Sequence, residues 1–211
     1  EKLLQYLNCD IEINDKIKIK KTSFINNLHA QIPGDISSAA FLIAASVIIP
    51  GSKIKLSNIL YNSTRMGFIE ILKKMGAKIT ISDINNENFE SMCSIESQFS
   101  PNLKSFKINK YNIIQLIDEI PILCIVATQA KGITTIEDAG ELRFKESDRL
   151  NAIYQNLKNM GAEISKSKTG LIIKGGKRLH NTRINTCDDH RIAMSFEILN
   201  FLVSGDYSRN W

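Results

Sequence analysis

Three stretches of the chain share one arrangement of positions: an aspartate, then a long run of apolar residues at helical spacing, then a glycine. The aspartate and glycine that bound each stretch are Asp35 and Gly51, Asp118 and Gly132, and Asp189 and Gly205. Aspartate is favoured at a helix N-cap, and glycine is favoured just past a helix end. The pattern therefore predicts three helices that are apolar nearly all round, as buried core helices are.

A second pattern recurs between these runs. The stretches "ILKKMGAKITI" from Ile71 and "NLKNMGAEISK" from Asn156 each predict an amphipathic helix, a Gly-Ala turn and a strand, and "LLQYLNCDIEI" from Leu3 is a degenerate copy. Short alternating strands such as "KIKLSNI" and "GLIIKGG" lie nearby. The repetition predicts an α/β fold of βαβαββ-like units over about 34–116 and 117–185, with a third unit begun at Asp188.

Two stretches of the chain do not show the repeated pattern. In "KIKIKK", Lys16 to Lys21, lysine alternates with isoleucine, which predicts a strand with one solvated basic face. Residues 82–106 mix polar and apolar positions without a clear period. We expect a loop with edge strands there.

Composition limits the class of protein. The 211 residues, 43% of them hydrophobic, can bury one large core or two small ones. The longest apolar run, Ala39 to Ile49, is too short to span a bilayer, and no signal-peptide pattern opens the sequence. The four cysteines are scattered without the spacing of metal ligands, which predicts reduced thiols and a cytoplasmic location.

The net charge of +5 leaves the kind of ligand open. Lysine and arginine are dispersed along the chain, and aromatic residues, at 7%, offer few surfaces on which bases could stack. A positive balance suits small anionic substrates as well as it suits nucleic acid.

The stretch "ELRFKESDRL", Glu141 to Leu150, concentrates charge at one point of the chain. On a helix, Lys145, Glu146 and Arg149 would share one face. They would lie near a helix N-terminus, where the helix dipole disfavours cations. This spacing alone favours a surface helix with internal ion pairs. Alternatively, an anionic ligand bound at the helix N-terminus would stabilise the same cations.

Five motifs in order, "IPGDISSAAF", "NSTRMGFIEILKKMGA", "DEIP", "ELRFKESDR" and "CDDHRIAM", resemble those of the EPSP synthase (3-phosphoshikimate 1-carboxyvinyltransferase) family. The resemblance extends from about residue 1 to residue 205. It implies two domains of three βαβαββ units each, with the active site in the cleft between them. Residues 1–32 resemble the closing segment of one domain, and residues 33–211 resemble most of the other. The resemblance thus implies a partial chain that lacks the N-terminal third and the C-terminal end, with a tail, 206–211, that departs from the family pattern.

The reaction that this resemblance implies is the transfer of a carboxyvinyl group from phosphoenolpyruvate to the 5-hydroxyl of shikimate 3-phosphate, with release of phosphate. The step belongs to the shikimate pathway, which leads to chorismate and the aromatic amino acids. The resemblance implies no cofactor and no metal. It also implies a monomer without nucleic-acid or membrane partners.

The resemblance assigns roles to four acidic and basic residues. Asp118 would bind the 5-hydroxyl region of shikimate 3-phosphate and act as general base, although its place in the repeat also suits a simple N-cap. Lys145 would contact shikimate 3-phosphate. Arg149 would hold phosphoenolpyruvate through paired hydrogen bonds, and Glu146 would carry a proton to the methylene carbon.

The same resemblance makes Arg191 a second phosphoenolpyruvate ligand and His190 a supporting catalytic residue that hydrogen-bonds Glu146. Without the resemblance, a histidine at a helix start suits a structural role. Asp189 is expected to cap the helix and orient Arg191. The family has an asparagine where this chain has Glu141, so either a subgroup uses glutamate there or the contact is lost.

Other polar residues are expected to be structural. Ser37 and Ser38 would allow close helix packing, and Arg65 would have a packing or ion-pair role. The side chain of Glu119 is expected to point away from the site that Asp118 faces.

Two further interpretations compete with the enzyme. The chain is an inactive fragment or pseudoenzyme that keeps only the scaffold, or it binds RNA, which a distant resemblance of its repeats to RNA 3′-phosphate cyclase suggests. The lack of a patch that combines basic and aromatic residues counts against RNA. Under the favoured interpretation, these 211 residues by themselves are expected to be inactive.

Overall fold

The computed structural model describes residues 1–22, 27–86 and 89–205, so the tail at 206–211 lies outside the described residues. The α-helices of the described residues are Lys2–Tyr6 (α1), Ile36–Ile48 (α2), Gly67–Lys74 (α3), Lys110–Ile113 (α4), Ile120–Gln129 (α5), Arg149–Asn159 (α6) and His190–Ser204 (α7). None of these helices has the length and hydropathy needed to cross a bilayer.

Within the described part of the chain, the strands form three sheets. Their bounds are Ile11–Ile13 (β1), Ile17–Ile19 (β2), Lys53–Leu60 (β3), Lys78–Asn85 (β4), Met92–Gln98 (β5), Lys107–Ile108 (β6), Ile133–Ile136 (β7), Glu163–Lys166 (β8) and Leu171–Lys174 (β9). The sheet orders are β1-β2, β3-β5-β4 and β6-β7-β9-β8.

The second and third sheets show the repeat predicted from the sequence. In one unit, β3 pairs antiparallel with β5 and β5 with β4; in the other, β7 pairs with β9 and β9 with β8 in the same way. Each unit opens with a parallel pairing: β6 runs beside β7, and in the first unit an isolated parallel bridge from Gly34 to Ile59 takes the place of a full strand. Each unit is therefore βαβαββ, and the second begins at β6 rather than at residue 117.

Two of the three expected aspartate caps are present. Asp35 accepts hydrogen bonds from the amides of Ser37 and Ser38 at the start of α2, and Asp189 accepts them from Arg191 and Ile192 at the start of α7. Asp118 is not a cap, because α5 begins after Glu119 and has no side-chain cap. The repeat position that two units use for capping is thus free for another purpose in the middle unit.

The segment around Lys145 is not helical, contrary to the expectation from its spacing. A short 3₁₀ helix covers Gly140–Phe144, bends follow, and α6 starts only at Arg149, with Asp148 as its N-cap. Asp148 accepts a hydrogen bond from the Asn151 amide at 3.0 Å, which fixes this start. Lys145 and Glu146 therefore lie on the loop that leads into α6.

The prediction of edge strands within 82–106 is wrong for β5, which is the central strand of its sheet. The segment was misread because buried serines interrupt its apolar pattern. Ser97 is buried and its hydroxyl lies 2.6 Å from the hydroxyl of Ser46 on α2, so the two polar groups satisfy each other. The lysine-rich alternation correctly predicted β2, but Ile17 and Ile19 are exposed as well.

The three apolar helices α2, α5 and α7 pack against one another, and α6 packs across α5 and α7. Residues of α5 such as Ile125 and Val126 are fully buried, as a core helix requires. The groove between α2 and α7 is open and apolar, lined in part by Phe41, Leu42 and Ile198. The packing brings the N-terminal ends of α5, α6 and α7 together, and the candidate site lies there.

The contact between the end of β9 and the end of α5 gives a stability prediction. A Cβ atom on Gly175 would overlap the carbonyl oxygens of Ala127 and Ala130, whereas one on Gly140 would meet nothing within 4 Å. We expect Gly175→Ala to lower the free energy of unfolding by about 1–3 kcal/mol, the usual range for overpacking. Urea unfolding followed by circular dichroism measures the change, with Gly140→Ala as the matched control. Equal stability of the two variants would contradict the close contact.

Candidate active site

Three chain segments place cations around a single carboxylate. Asp118 lies just before α5, Lys145 on the loop before α6, Arg149 at the first position of α6, and Arg191 in the first turn of α7. The Asp118 carboxylate oxygens lie 3.6 Å from Lys145 Nζ, 3.4 Å from Arg149 Nη1 and 3.8 Å from Arg191 Nη2. Residues more than 70 positions apart in sequence thus meet at one point.

Arg149 is the most deeply buried charge of this cluster. Its side chain is fully shielded from solvent, and its Nε donates to Asp189 Oδ2 at 2.7 Å, while its Nη2 donates to Glu146 Oε2 at 2.6 Å. The guanidinium sits at the helix end where a cation is disfavoured. The acidic side chains of Asp189, Glu146 and Asp118 compensate for both the dipole and the burial.

Asp189 joins two functions in one side chain. One oxygen caps α7 through the amides of Arg191 and Ile192, and the other accepts hydrogen bonds from Arg149 and from the Ser147 hydroxyl. Burial tends to raise the pKa of Asp189, but the hydrogen bond and charge of Arg149 outweigh it, so the pKa is lower than usual. The expectation that Asp189 caps this helix is confirmed, and its side chain binds Arg149.

Arg191 is held against the backbone of the middle unit. Its Nη1 donates to the main-chain carbonyl of Asp118 at 3.2 Å. Only 16% of its side chain is exposed, whereas 51% of the Glu146 side chain is. Arg191 is therefore a partly buried cation with a fixed direction, and Glu146 is an acid that solvent and solutes can reach.

Two other predicted site residues stand apart from the cluster. His190 opens α7 with its side chain exposed, and among the described residues no hydrogen bond joins it to Glu146. Glu141 is exposed on the 3₁₀ helix. The loop thus carries Lys145 and Glu146 to the cluster and leaves Glu141 in solvent.

Sequence reasoning missed the burial of a further acidic group, which follows Asp118 directly in the chain. Glu119 is 6% exposed, and burial raises the pKa of its carboxyl group, while the Ser37 side chain and the charges of Arg191 and Arg65 oppose the increase. Ser37 is buried, but Ser38 is exposed and its hydroxyl bonds Asp35, so only Ser37 contributes to packing. The sequence feature that could have indicated this group is the pair of adjacent acidic residues before the apolar run, in "DEIP".

The chemistry open to this cluster follows from its charges. Three cations close to one another can bind a multiply charged small anion such as a phosphate ester. Asp118 and Glu146 are carboxylates that remain partly exposed among those cations. Groups of this kind can accept or donate a proton on a bound substrate.

Comparison with solved structures defines the class. EPSP synthase from Acinetobacter baumannii superposes with a TM-score of 0.90 at 33% identity, over 95% of this chain and 47% of that one. The enolpyruvyl transferase NikO from Streptomyces tendae shares the fold, with a TM-score of 0.59 at 17% identity over 95% of this chain and 44% of that one. The fold is therefore the α/β fold of these transferases.

Sequence comparison is more specific. The model of the EPSP synthase (3-phosphoshikimate 1-carboxyvinyltransferase) family matches residues 1–209, so the chain belongs to this family, and the match includes residues 206–209 of the tail, contrary to expectation. Proteins named 3-phosphoshikimate 1-carboxyvinyltransferase from Persephonella marina and Thermodesulfovibrio yellowstonii are 40% and 42% identical, over 96% and 98% of this chain. The chain covers 48% of each, and so spans about half the length of these curated relatives. The division into segments 1–32 and 33–211 stays a prediction.

The Arg149–Asp189 pair gives a second stability prediction. Asp189→Asn leaves the Arg149 guanidinium buried with weaker compensation, and breaking a buried ion pair is strongly destabilising. We expect the free energy of unfolding to fall by about 3 kcal/mol, near the lower end for such changes because Asp118 and Glu146 remain. Urea unfolding measures the loss, and Glu163→Gln, at an exposed ion pair with Lys174, is the control. If Asp189→Asn lowers the free energy of unfolding no more than the control does, the ion pair does not make the proposed contribution to stability.

The lowered pKa of Asp189 also predicts how stability depends on pH. Because the carboxylate is more acidic in the folded chain than in the unfolded chain, its contribution is fully present above the unfolded value of about 3.9. The contribution is lost as the pH falls through the lower, folded value. Acid unfolding of Asp189→Asn should therefore show a shallower loss of stability below pH 4 than the parent chain. Parallel curves for the two proteins would contradict this linkage.

Proposed function

We propose that this chain supplies one half of a 3-phosphoshikimate 1-carboxyvinyltransferase acting in the cytoplasm. The reaction joins C2 of phosphoenolpyruvate, the carbon that bears the phosphate group, to the 5-hydroxyl oxygen of shikimate 3-phosphate, and the bond from C2 to the phosphate oxygen breaks as inorganic phosphate is released. The convergence of Lys145, Arg149 and Arg191 on Asp118 is the observation that carries the proposal. Family membership and the names of the relatives support it.

Asp118 is proposed as the base and Lys145 as the ligand of the substrate phosphate. The addition step needs a base for the 5-hydroxyl, and Asp118 is a carboxylate that three cations hold in place. Lys145 is on the loop before α6 with about a third of its side chain exposed, so a phosphate can approach its ammonium group. In this arrangement, the hydroxyl binds near Asp118 while Lys145 neutralises the 3-phosphate.

Glu146 is proposed as the acid that protonates the methylene carbon of phosphoenolpyruvate during addition. Its carboxylate is half exposed and bonded to Arg149, so it faces both solvent and a cation. Removal of a proton from the resulting methyl group during elimination regenerates the double bond as phosphate leaves. One group can serve both steps, since the proton that it donates returns to it. His190 is proposed to support this site from the start of α7.

Arg149 and Arg191 are proposed to hold phosphoenolpyruvate. Arg149 donates to buried Asp189 through Nε at 2.7 Å and through Nη2 at 3.4 Å, while Nη1 also donates to Asp118 and Nη2 to Glu146, which are both partly exposed. An anionic substrate can take over those outer hydrogen bonds without disturbing Asp189. Arg191 presents a second guanidinium from α7, and two such groups can bind a carboxylate and a phosphate at once.

The substrates are the only partners in this proposal, and the enzyme is proposed to act as a monomer without a cofactor. Because the chain spans about half the length of its relatives, we expect residues 1–211 by themselves to release no detectable phosphate from phosphoenolpyruvate and shikimate 3-phosphate. A colorimetric phosphate assay tests this expectation. A polypeptide of the relatives' full length that contains this sequence is expected to be active, and failure of that polypeptide would overturn the proposed reaction.

Lys145→Met tests the phosphate contact in that full-length polypeptide. We expect the affinity for shikimate 3-phosphate to fall at least about tenfold, because a hydrogen bond to a charged group contributes roughly 1.5–3 kcal/mol. Isothermal titration calorimetry measures the affinity. Lys107→Met, which removes an exposed lysine paired with Glu137 just after β7, is the matched control. Unchanged affinity in Lys145→Met would remove Lys145 from the site.

Glu146→Gln tests the proton transfer. The amide keeps a hydrogen-bond acceptor for Arg149 but cannot carry the proton, so we expect kcat to fall about 10²–10⁴-fold. The affinity for shikimate 3-phosphate should change much less, since the lost interaction acts in the transition state. Glu137→Gln controls for the loss of a carboxylate elsewhere. Equal losses in turnover and affinity would identify Glu146 as a structural residue.

A further inference from the structure

The segment that carries Lys145 and Glu146 into the cluster is held at one side chain. Leu142, at its start, is fully buried. Within 143–148, all of which the structure describes, Ser147 alone is partly buried and the other residues are exposed. The position of the segment's far end therefore depends on what the Ser147 side chain contacts.

The contact of Ser147 is the buried carboxylate of Asp189. The Ser147 hydroxyl donates to Asp189 Oδ2 at 3.0 Å, and the same oxygen accepts from Arg149 Nε at 2.7 Å. The other oxygen, Oδ1, accepts from the amides of Arg191 and Ile192 at the start of α7. Each carboxylate oxygen can accept more than one hydrogen bond, so these donors do not exclude one another. Ser147 thus ties the loop before α6 to the first turn of α7.

This hydrogen bond differs from the contacts of the two charged residues beside it. Lys145 Nζ lies 3.6 Å from Asp118, and Glu146 accepts from Arg149 at 2.6 Å. These contacts involve partly exposed carboxylates, and an anionic substrate that binds the cations would replace them. The bond from Ser147 ends on a carboxylate that is fully buried and held by three other donor groups, so it persists when the outer contacts change.

We propose that Ser147 is a positioning residue for Lys145 and Glu146: its hydrogen bond to buried Asp189 holds the loop in place when a substrate anion takes over the contacts of those two side chains. The inference rests on the proposed function, because it takes Lys145 as the ligand of the substrate phosphate and Glu146 as the group that carries the proton. Ser147 itself is assigned no contact with the substrate, since its hydroxyl is directed to Asp189.

The ionisation of Asp189 agrees with this role. Burial tends to raise the pKa of Asp189, but the hydrogen bond and charge of Arg149, the Arg191 amide and the Ser147 hydroxyl together lower it. An ionised carboxylate only accepts hydrogen bonds, so the serine hydroxyl is the donor. Hydrogen bonds to a charged group are stronger than those between neutral groups, which suits a contact that has to fix a loop.

Ser147→Ala is the direct test, made in a polypeptide of the relatives' full length that contains this sequence. Asp189 keeps its bonds to Arg149 and α7, so the buried pair remains while the loop loses its attachment. We expect kcat to fall about tenfold, because the proton carrier is no longer held in one geometry. The KM for shikimate 3-phosphate should rise about threefold, and that for phosphoenolpyruvate should change less than about twofold, since Arg149 and Arg191 are held on helices.

Limited proteolysis measures the loop without any turnover. Arg143 and Lys145 are exposed, and trypsin cleaves after such residues when the backbone around them can open. We expect Ser147→Ala to be cleaved after Arg143 or Lys145 about fivefold faster than the parent protein. Cleavage after Lys166, on β8, reports unfolding of the sheet and should keep its rate. Mass spectrometry of the fragments identifies the bonds that are cut.

Three further variants make the result specific. Ser165→Ala, which removes an exposed serine hydroxyl on β8, should alter neither the kinetics nor the cleavage. Ser147→Thr keeps the hydroxyl donor and should restore kcat to within about twofold of the parent, together with the parent's cleavage rate. If Ser147→Ala fails to fold, Ser147→Cys, a weaker donor of similar shape, should give smaller changes in the same kinetic constants and the same cleavage.

Unchanged kcat and unchanged cleavage of the loop would overturn the inference. Equal losses in kcat and in both KM values, with faster cleavage after Lys166 as well, would also overturn it, since they indicate a purely structural role. A Ser147→Thr variant that behaves like Ser147→Ala would exclude the hydroxyl as the cause. A folded parent protein that gives no turnover, but in which Ser147→Ala selectively exposes the loop to trypsin, would overturn the proposed reaction and support the positioning role.

Discussion

The buried ion pair between Arg149 and Asp189 is the contact on which the rest of the site depends. Arg149 begins α6 of the second unit, and Asp189 caps α7 of the third, so one pair of side chains fixes the relative position of two repeats. Both side chains are fully buried, which means that either charge alone would be costly. With the pair intact, Arg149 directs its remaining nitrogens toward Asp118 and Glu146, and Asp189 holds the first turn of α7, from which Arg191 extends. The stability of the fold and the geometry of the cluster thus share one interaction.

Repetition explains how such a site arises in a fold of similar units. Asp35, Asp118 and Asp189 occupy equivalent positions in the sequence, but only the first and the last cap a helix. The middle unit begins α5 one residue later, after Glu119, and this frees the Asp118 carboxylate for the three cations. The helix loses one capping interaction, commonly worth about 1 kcal/mol. A small departure from the repeat, at the start of a buried helix, therefore makes a capping position available to the charged cluster of the candidate site.

The sequence predicted much of this fold because its strongest signals are local. The apolar helices, the Gly-Ala turns with positive φ at Gly76 and Gly161, and the βαβαββ order follow from periodicity and from residues with narrow conformational preferences. The elements of the fold that were predicted wrongly depend on contacts between residues that are distant in sequence. The loop at Lys145 had helical spacing, but Asp148 caps α6 and starts the helix later; β5 looked like an edge strand because Ser97 finds its partner in Ser46 on α2.

The charge balance of the cluster bears on how a substrate would enter it. Asp118 and Glu146 form ion pairs with the cations that are proposed to bind substrate anions. An incoming carboxylate or phosphate would therefore compete with these two acids for the cations. The two acids differ from Asp189 in being partly exposed, and they can turn toward solvent at much lower cost than a buried charge. Competition of this kind would release each acid from a cation at the moment when the substrate arrives. A carboxylate oxygen released from a cation is free to accept a hydrogen bond from a group of the bound substrate. In the proposed reaction, binding and proton transfer are therefore coupled by the same cations, and the buried Arg149–Asp189 pair keeps those cations in place while the exposed acids exchange partners.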